Sequence, residues 1–121
     1  MSRLVLIDDD DLVRESVSKL LEIRGHQVTC FESAEALLET AGYRDADCLV
    51  VDFRLPVMNG CELLYTLRAM SVDTPALLLS GNVGLIWEAM PDGIPGVHTL
   101  EKPCPSQDLY TAVEKCLAQA E

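Results

Sequence analysis

Cys48-Leu49-Val50-Val51-Asp52 is a short apolar run that stops on a carboxylate, and the pattern recurs along the chain. Leu4 to Ile7 runs into Asp8 and Asp9, Ala76 to Leu79 into Ser80, and Val97 to Leu100 into Glu101, Lys102 and Pro103. Such runs, separated by segments of helical period, read as strands of a parallel sheet buried on both faces. Strands of a parallel sheet all point one way, so residues past their carboxyl ends gather along one edge, where open α/β sheets place their sites. Three carboxylates, a hydroxyl and an ammonium are therefore expected in one cleft, which points to a divalent cation and phosphoryl transfer.

The expected strands are 3–7, 27–31, 48–51, 76–79 and 97–100. A first helix near 11–24 carries Val13, Val17, Leu20 and Leu21 on one face and stops at Gly25. Ser33 can cap a second over 34–41, with Ala34, Leu37, Leu38 and Ala41 aligned. Leu63, Leu67 and Met70 mark a third near 60–70, and Leu109, Ala112, Val113, Cys116, Leu117 and Ala120 a last one near 106–119. Between them Leu85, Ile86, Ala89 and Met90 predict a short fourth helix, which Pro91, Gly93, Pro95 and Gly96 break early. The alternation implies an α/β fold: a doubly wound, five-stranded parallel sheet with right-handed crossovers and five helices on its two faces. No repeat or linker interrupts it, so residues 1–121 read as one domain.

The chain has 121 residues, enough for a domain that hides roughly two-thirds of the surface its unfolded form exposes. Twenty acidic against nine basic side chains give a net charge of −11, which disfavours nucleic acid and anionic lipid and favours a cation or a basic partner. Cys30, Cys48, Cys61, Cys104 and Cys116 form an odd set without zinc spacing, and read as buried free thiols in a reducing compartment. Met1 to Ile7 contains no apolar stretch of signal-peptide type, and no run approaches a membrane span, so a cytoplasmic address is expected.

Taken singly, each site candidate has an ordinary reading. Asp10 and Asp11 suit a helix start, Asp52 and Ser80 suit turns, and Lys102 suits a solvated surface. Their joint placement at strand ends decides against that. Carboxylates about 5 Å apart repel by about 3 kcal/mol per pair at an effective dielectric near 20, so Asp8, Asp9 and Asp52 need either a proton or a cation among them. An all-oxygen donor set suits Mg²⁺. A carboxylate held beside that ion and Lys102 can attack phosphorus to give an acyl phosphate.

At this point the residues resemble the receiver domain of two-component response regulators. Ile7-Asp8-Asp9 looks like its acidic pair, Val51 to Gly60 like its phosphoacceptor loop, Leu79-Ser80-Gly81 like its switch hydroxyl, and Glu101-Lys102-Pro103 like its lysine followed by a cis proline. The resemblance implies a flavodoxin-like three-layer sandwich with strand order 2-1-3-4-5. It implies that Asp52 takes a phosphoryl group from a sensor histidine kinase or phosphotransfer protein, and that the domain catalyses its own phosphorylation and dephosphorylation. Mg²⁺, with Mn²⁺ able to substitute, would be held by Asp9, Asp52 and the Arg54 carbonyl, with Asp8 on a metal-bound water. Ser80 and Lys102 would bind phosphoryl oxygens, the Lys102–Pro103 bond would be cis, and Arg54 and Asn82 would fall at the positions that tune acyl-phosphate lifetime. Asn82 reads equally well as an exposed loop residue.

The chain departs from the family pattern at Thr99, where a Tyr or Phe usually turns inward on activation. His98 reads as an outward-facing strand residue and Trp87 as packing or an exposed contact, while Cys104 stands where an aromatic is frequent and 91–96 shortens the usual output face. Homodimers through the first helix or the fourth-to-fifth helix face are familiar in such domains, and direct nucleic-acid or membrane binding is not expected. The domain would be either free-standing or the N-terminal part of a longer regulator. Rival readings are a receiver-like adaptor without phosphorylation, a phosphohydrolase with Asp52 as nucleophile, and an FMN carrier. Arg54 standing where that phosphohydrolase motif needs a second acid argues against the second, and four aspartates after the first strand, which repel phosphate, argue against the third.

Overall fold

Five strands, β1 (Arg3–Ile7), β2 (Gln27–Phe31), β3 (Cys48–Asp52), β4 (Ala76–Ser80) and β5 (Val97–Glu101), alternate with five helices, α1 (Asp11–Ile23), α2 (Ala34–Thr40), α3 (Gly60–Ala69), α4 (Val83–Ala89) and α5 (Ser106–Gln119). The computed structural model describes residues 2–119, so Met1 and Glu121 of the expected domain and Ala120 of the expected helical stripe lie outside the described residues. The sheet is parallel throughout, in the order β2-β1-β3-β4-β5. That is the flavodoxin-like, doubly wound arrangement expected.

Side chains alternate across a strand, and the central strands divide their apolar residues between two cores accordingly. Val5, Ile7, Leu49, Val51, Ala76 and Leu78 pack with Leu37, Leu63, Leu64, Leu67 and Ile86 of α2, α3 and α4. Leu4, Leu6, Cys48, Val50, Leu77 and Leu79 pack with Leu21 of α1 and Leu109, Val113 and Cys116 of α5. Every residue of β3 and β4 is buried, which explains why both read as uninterrupted apolar runs.

Local signals set the helix ends. Asp10 caps α1 by accepting from the Leu12 and Val13 amides, Ser33 caps α2, and Asn59 with Glu62 forms a capping box on α3. Gly25 follows α1 at φ 90, a conformation glycine adopts without Cβ strain.

The structure corrects several boundaries. β3, β4 and β5 each extend one residue further than expected, because Asp52, Ser80 and Glu101 still pair with their neighbours. Ala41 is the left-handed cap of α2 and not its last turn, and Met70 caps α3 with its side chain exposed, so that stripe ends at Leu67. The fourth helix begins at Val83, earlier than its apolar pattern suggests, because Asn82 caps it by accepting from the Gly84 amide. Of the cysteines, all free, Cys48, Cys61 and Cys116 are buried, whereas Cys30 on edge strand β2 is exposed.

Arg68 at the end of α3 ties together loops on the edge of the sheet away from the carboxylates. Its guanidinium donates to the carbonyls of Val72, Thr74 and Pro95 at 2.9, 2.9 and 3.0 Å, and its burial lowers its pKa. Replacing Arg68 with alanine leaves these carbonyls without their charged donor. The expected loss is about 2 kcal/mol of unfolding free energy in urea titration, with Mg²⁺ affinity unchanged.

Candidate functional site

Register brings the site together. Ile7 pairs with Val51, so Asp8 lies one rung beyond, beside Asp52 on β3. Asp52 pairs with Leu79 and Ser80 with Glu101, which carries Ser80 and Lys102 to the same edge. One ligand oxygen from each of Asp8, Asp9 and Asp52 falls within 4.8 Å of the other two, Asp8 and Asp52 being buried and Asp9 exposed. The Lys102 ammonium donates to Asp52 Oδ1 at 3.0 Å. The Lys102–Pro103 peptide is cis.

Backbone bonds hold Asp52 in place: the Phe53 amide donates to the Leu79 carbonyl at 2.8 Å, and the Gly60 amide to the Phe53 carbonyl at 2.9 Å. A Cβ on Gly60 would lie 2.7 Å from the Asp52 carbonyl oxygen and 2.6 Å from Leu78, so α3 can start against β3 only through a glycine. The intervening loop carries Val57 at φ 67, a left-handed conformation costly for a β-branched residue.

Burial away from water is the largest influence on Asp8 and raises its pKa, with Asp52 and Asp9 pushing the same way against the Asp10 amide and Lys102. The Asp10 amide donates to Asp8 Oδ1 at 2.9 Å. A buried, hydrogen-bonded carboxylate next to two others is a donor set that fits a hard divalent cation.

Ser80 is buried, and its hydroxyl is already engaged: Oγ donates to the Asn82 carbonyl and accepts from the Asn82 amide, both at 3.0 Å. Glu101 accepts from the Val83 amide at 3.3 Å, adding a second tie to the start of α4. Asn82 is therefore a capping residue and not a free loop position, a role its amide side chain before a short helix could have signalled. Two other participants went unread in the sequence, Glu101 as a tether and Arg14, which donates to the Asp8 carbonyl at 2.8 Å. The spacing of Asp11 and Arg14, one helical turn apart, was the available sign of the latter.

Arg54 is exposed. Thr99 is half-buried on β5 and lines a groove of about 490 Å³ with Trp87, His98, Thr111 and Lys115. His98 does not face outward as expected: it is half-buried, with Nε2 enclosed and without a hydrogen-bond partner. Trp87 is exposed at the rim of that groove.

Comparison with known proteins gives concordant matches. The family described as response regulator receiver domain matches residues 4–114. The transcriptional regulatory protein FixJ of Bradyrhizobium diazoefficiens is 37% identical over 120 residues, covering 98% of this chain and 58% of FixJ. The response regulator protein TmoT of Ectopseudomonas mendocina is 31% identical, over 98% of this chain and 54% of its own length. The chain thus spans about half the length of these curated relatives. Full-length FixJ from B. japonicum superposes with a TM-score of 0.87 at 35% identity, covering 99% of this chain and 59% of that one. A receiver domain protein from Clostridium thermocellum, at 23% identity and TM-score 0.84, shares the fold.

Because folding raises the pKa of Asp8, the native state binds a proton there more tightly than the unfolded chain does; this contributes stability at low pH that is lost as pH rises through the folded-state value. Asp8→Asn keeps an oxygen for the Asp10 amide and removes the buried charge. It is expected to stabilise the metal-free protein at pH 7 and to lose that advantage in acid, read by urea unfolding at the two pH values.

Proposed function

The chain belongs to the response regulator receiver domain family, and from that premise we propose that it accepts a phosphoryl group on Asp52 in a Mg²⁺-dependent reaction. The observation that carries this reading is the convergence of Asp8, Asp9 and Asp52 within 4.8 Å, with Lys102 at 3.0 Å from Asp52. Asp9, Asp52 and the Arg54 carbonyl would hold the ion, Asp8 would bind a water on it, and Mn²⁺ would serve in its place. When bound, the cation neutralises charge on the transferring group.

Asp52 supplies the electron pair of the new O–P bond, while the P–N bond of a donor phosphohistidine breaks and the leaving imidazole takes up a proton. Lys102, already directed at Asp52, transfers its hydrogen bond to a phosphoryl oxygen and offsets the developing charge. The same machinery supports self-catalysed phosphorylation from small donors and later hydrolysis, with Arg54 and Asn82 beside the acyl phosphate setting its lifetime.

The switch begins at Ser80. Its one hydroxyl proton now goes to the Asn82 carbonyl, so donating it to a phosphoryl oxygen releases that carbonyl. The added group brings about −1.5 to −2 charge and three acceptor oxygens. The 80–83 loop and the start of α4 then repack, and Thr99 offers no aromatic ring to follow. The signal therefore rests on the loop ties of Ser80 and Glu101.

The partners we propose are a sensor histidine kinase or phosphotransfer protein and a second copy of the domain, without direct contact to nucleic acid or membrane. The proposed setting is cytoplasmic, and no helix among the described residues is long and apolar enough to cross a membrane. Residues 1–121 would act as a single receiver domain.

Incubation with a small acyl-phosphate donor and Mg²⁺, followed by intact-mass measurement, is expected to add one phosphoryl group to the wild-type protein and none to Asp52→Asn. Phosphate retained covalently by that variant would refute the assignment. An Asp9→Ala protein is expected to lose the Mg²⁺ dependence together with most of the rate.

A further inference from the structure

Asp8 and Asp9 share a peptide unit, and the carbonyl of that unit is gripped from α1. Arg14 Nη1 donates to the Asp8 carbonyl oxygen at 2.8 Å, while Nη2 is paired with the Asp11 carboxylate. The Arg14 side chain is only 19% exposed. On either side of the carbonyl, the Asp8 amide donates to the Phe31 carbonyl at 3.2 Å, and the Asp10 amide to Asp8 Oδ1 at 2.9 Å.

A peptide unit is planar, so fixing its carbonyl fixes the backbone angles that aim the side chains on both sides of it. The carboxylates on those two residues belong to the three-acid cluster. We propose that Arg14 is a positioning residue for this cluster: by holding the Asp8–Asp9 peptide it sets the spacing at which the two carboxylates receive a divalent cation. The inference rests on the cation-binding reading above and adds to it a residue outside the donor set.

Electrostatics and positioning predict opposite signs. Arg14 is a cation near the site, so deleting it for charge reasons alone would draw Mg²⁺ in more tightly. Loss of the brace would instead loosen the pair and weaken binding. Isothermal titration of Mg²⁺ at matched ionic strength separates the two, with circular dichroism reporting the fold. Arg14→Ala is expected to weaken Mg²⁺ binding about tenfold, the range for residues that orient metal ligands. Arg14→Met, which keeps the aliphatic stem and loses the donors, is expected to do the same and decides the matter if the alanine variant does not fold. Arg14→Lys, which keeps one charged donor, is expected to fall between these variants and the wild type.

Affinity equal to or tighter than wild type in Arg14→Met would overturn the positioning role while leaving the cation site intact. A wild-type titration no stronger than that of Asp9→Ala would remove the cation site itself, and the inference with it.

Discussion

Three carboxylates forced onto one edge of a sheet, with one ammonium 3.0 Å from the middle strand's acid, form the arrangement from which the rest of this molecule follows. Their mutual repulsion cannot be relieved by drifting apart, because Asp8 directly follows β1 and Asp52 ends the adjacent β3, strands whose register is set by buried apolar residues. A one-residue slip would turn every core side chain of such a strand to the other face. The two hydrophobic cores therefore hold the charges together, as an all-oxygen donor set of the kind a hard divalent cation needs.

The same edge is also where the chain accepts local strain. Val57 occupies a left-handed conformation between Asp52 and α3, Gly60 is pressed against the Asp52 backbone, and Asp8 is buried with its pKa raised. Ser80 and Glu101 fasten the adjacent loop through hydrogen bonds to Asn82 and Val83. Apolar packing supplies the interior of the sheet, while its rim is held by individual hydrogen bonds.

Much of this was legible in the sequence for a physical reason. Both faces of the central strands are covered, so β3 and β4 appear as unbroken apolar runs, and the polar residue ending each run marks the edge of the sheet. The gathering of Asp8, Asp9, Asp52, Ser80 and Lys102 at one edge followed from that pattern, whereas the strand order came from the family resemblance. What the pattern could not carry were contacts decided by side-chain reach. Arg14 spans back to a carbonyl six residues earlier, Glu101 crosses to α4, and His98 tucks its Nε2 inward from a strand that reads as half polar. Met70 failed in the opposite way: it keeps the helical spacing, but α3 ends there and its side chain meets solvent.

The central claim is that the clustered acids form a divalent-cation site in the folded protein, and the thermal midpoint as a function of Mg²⁺ tests it most directly. Ligand that binds only the native state raises the midpoint with the logarithm of its concentration. The account predicts such a rise in MgCl₂, well beyond that in KCl of equal ionic strength. Identical midpoints in the two salts would contradict it.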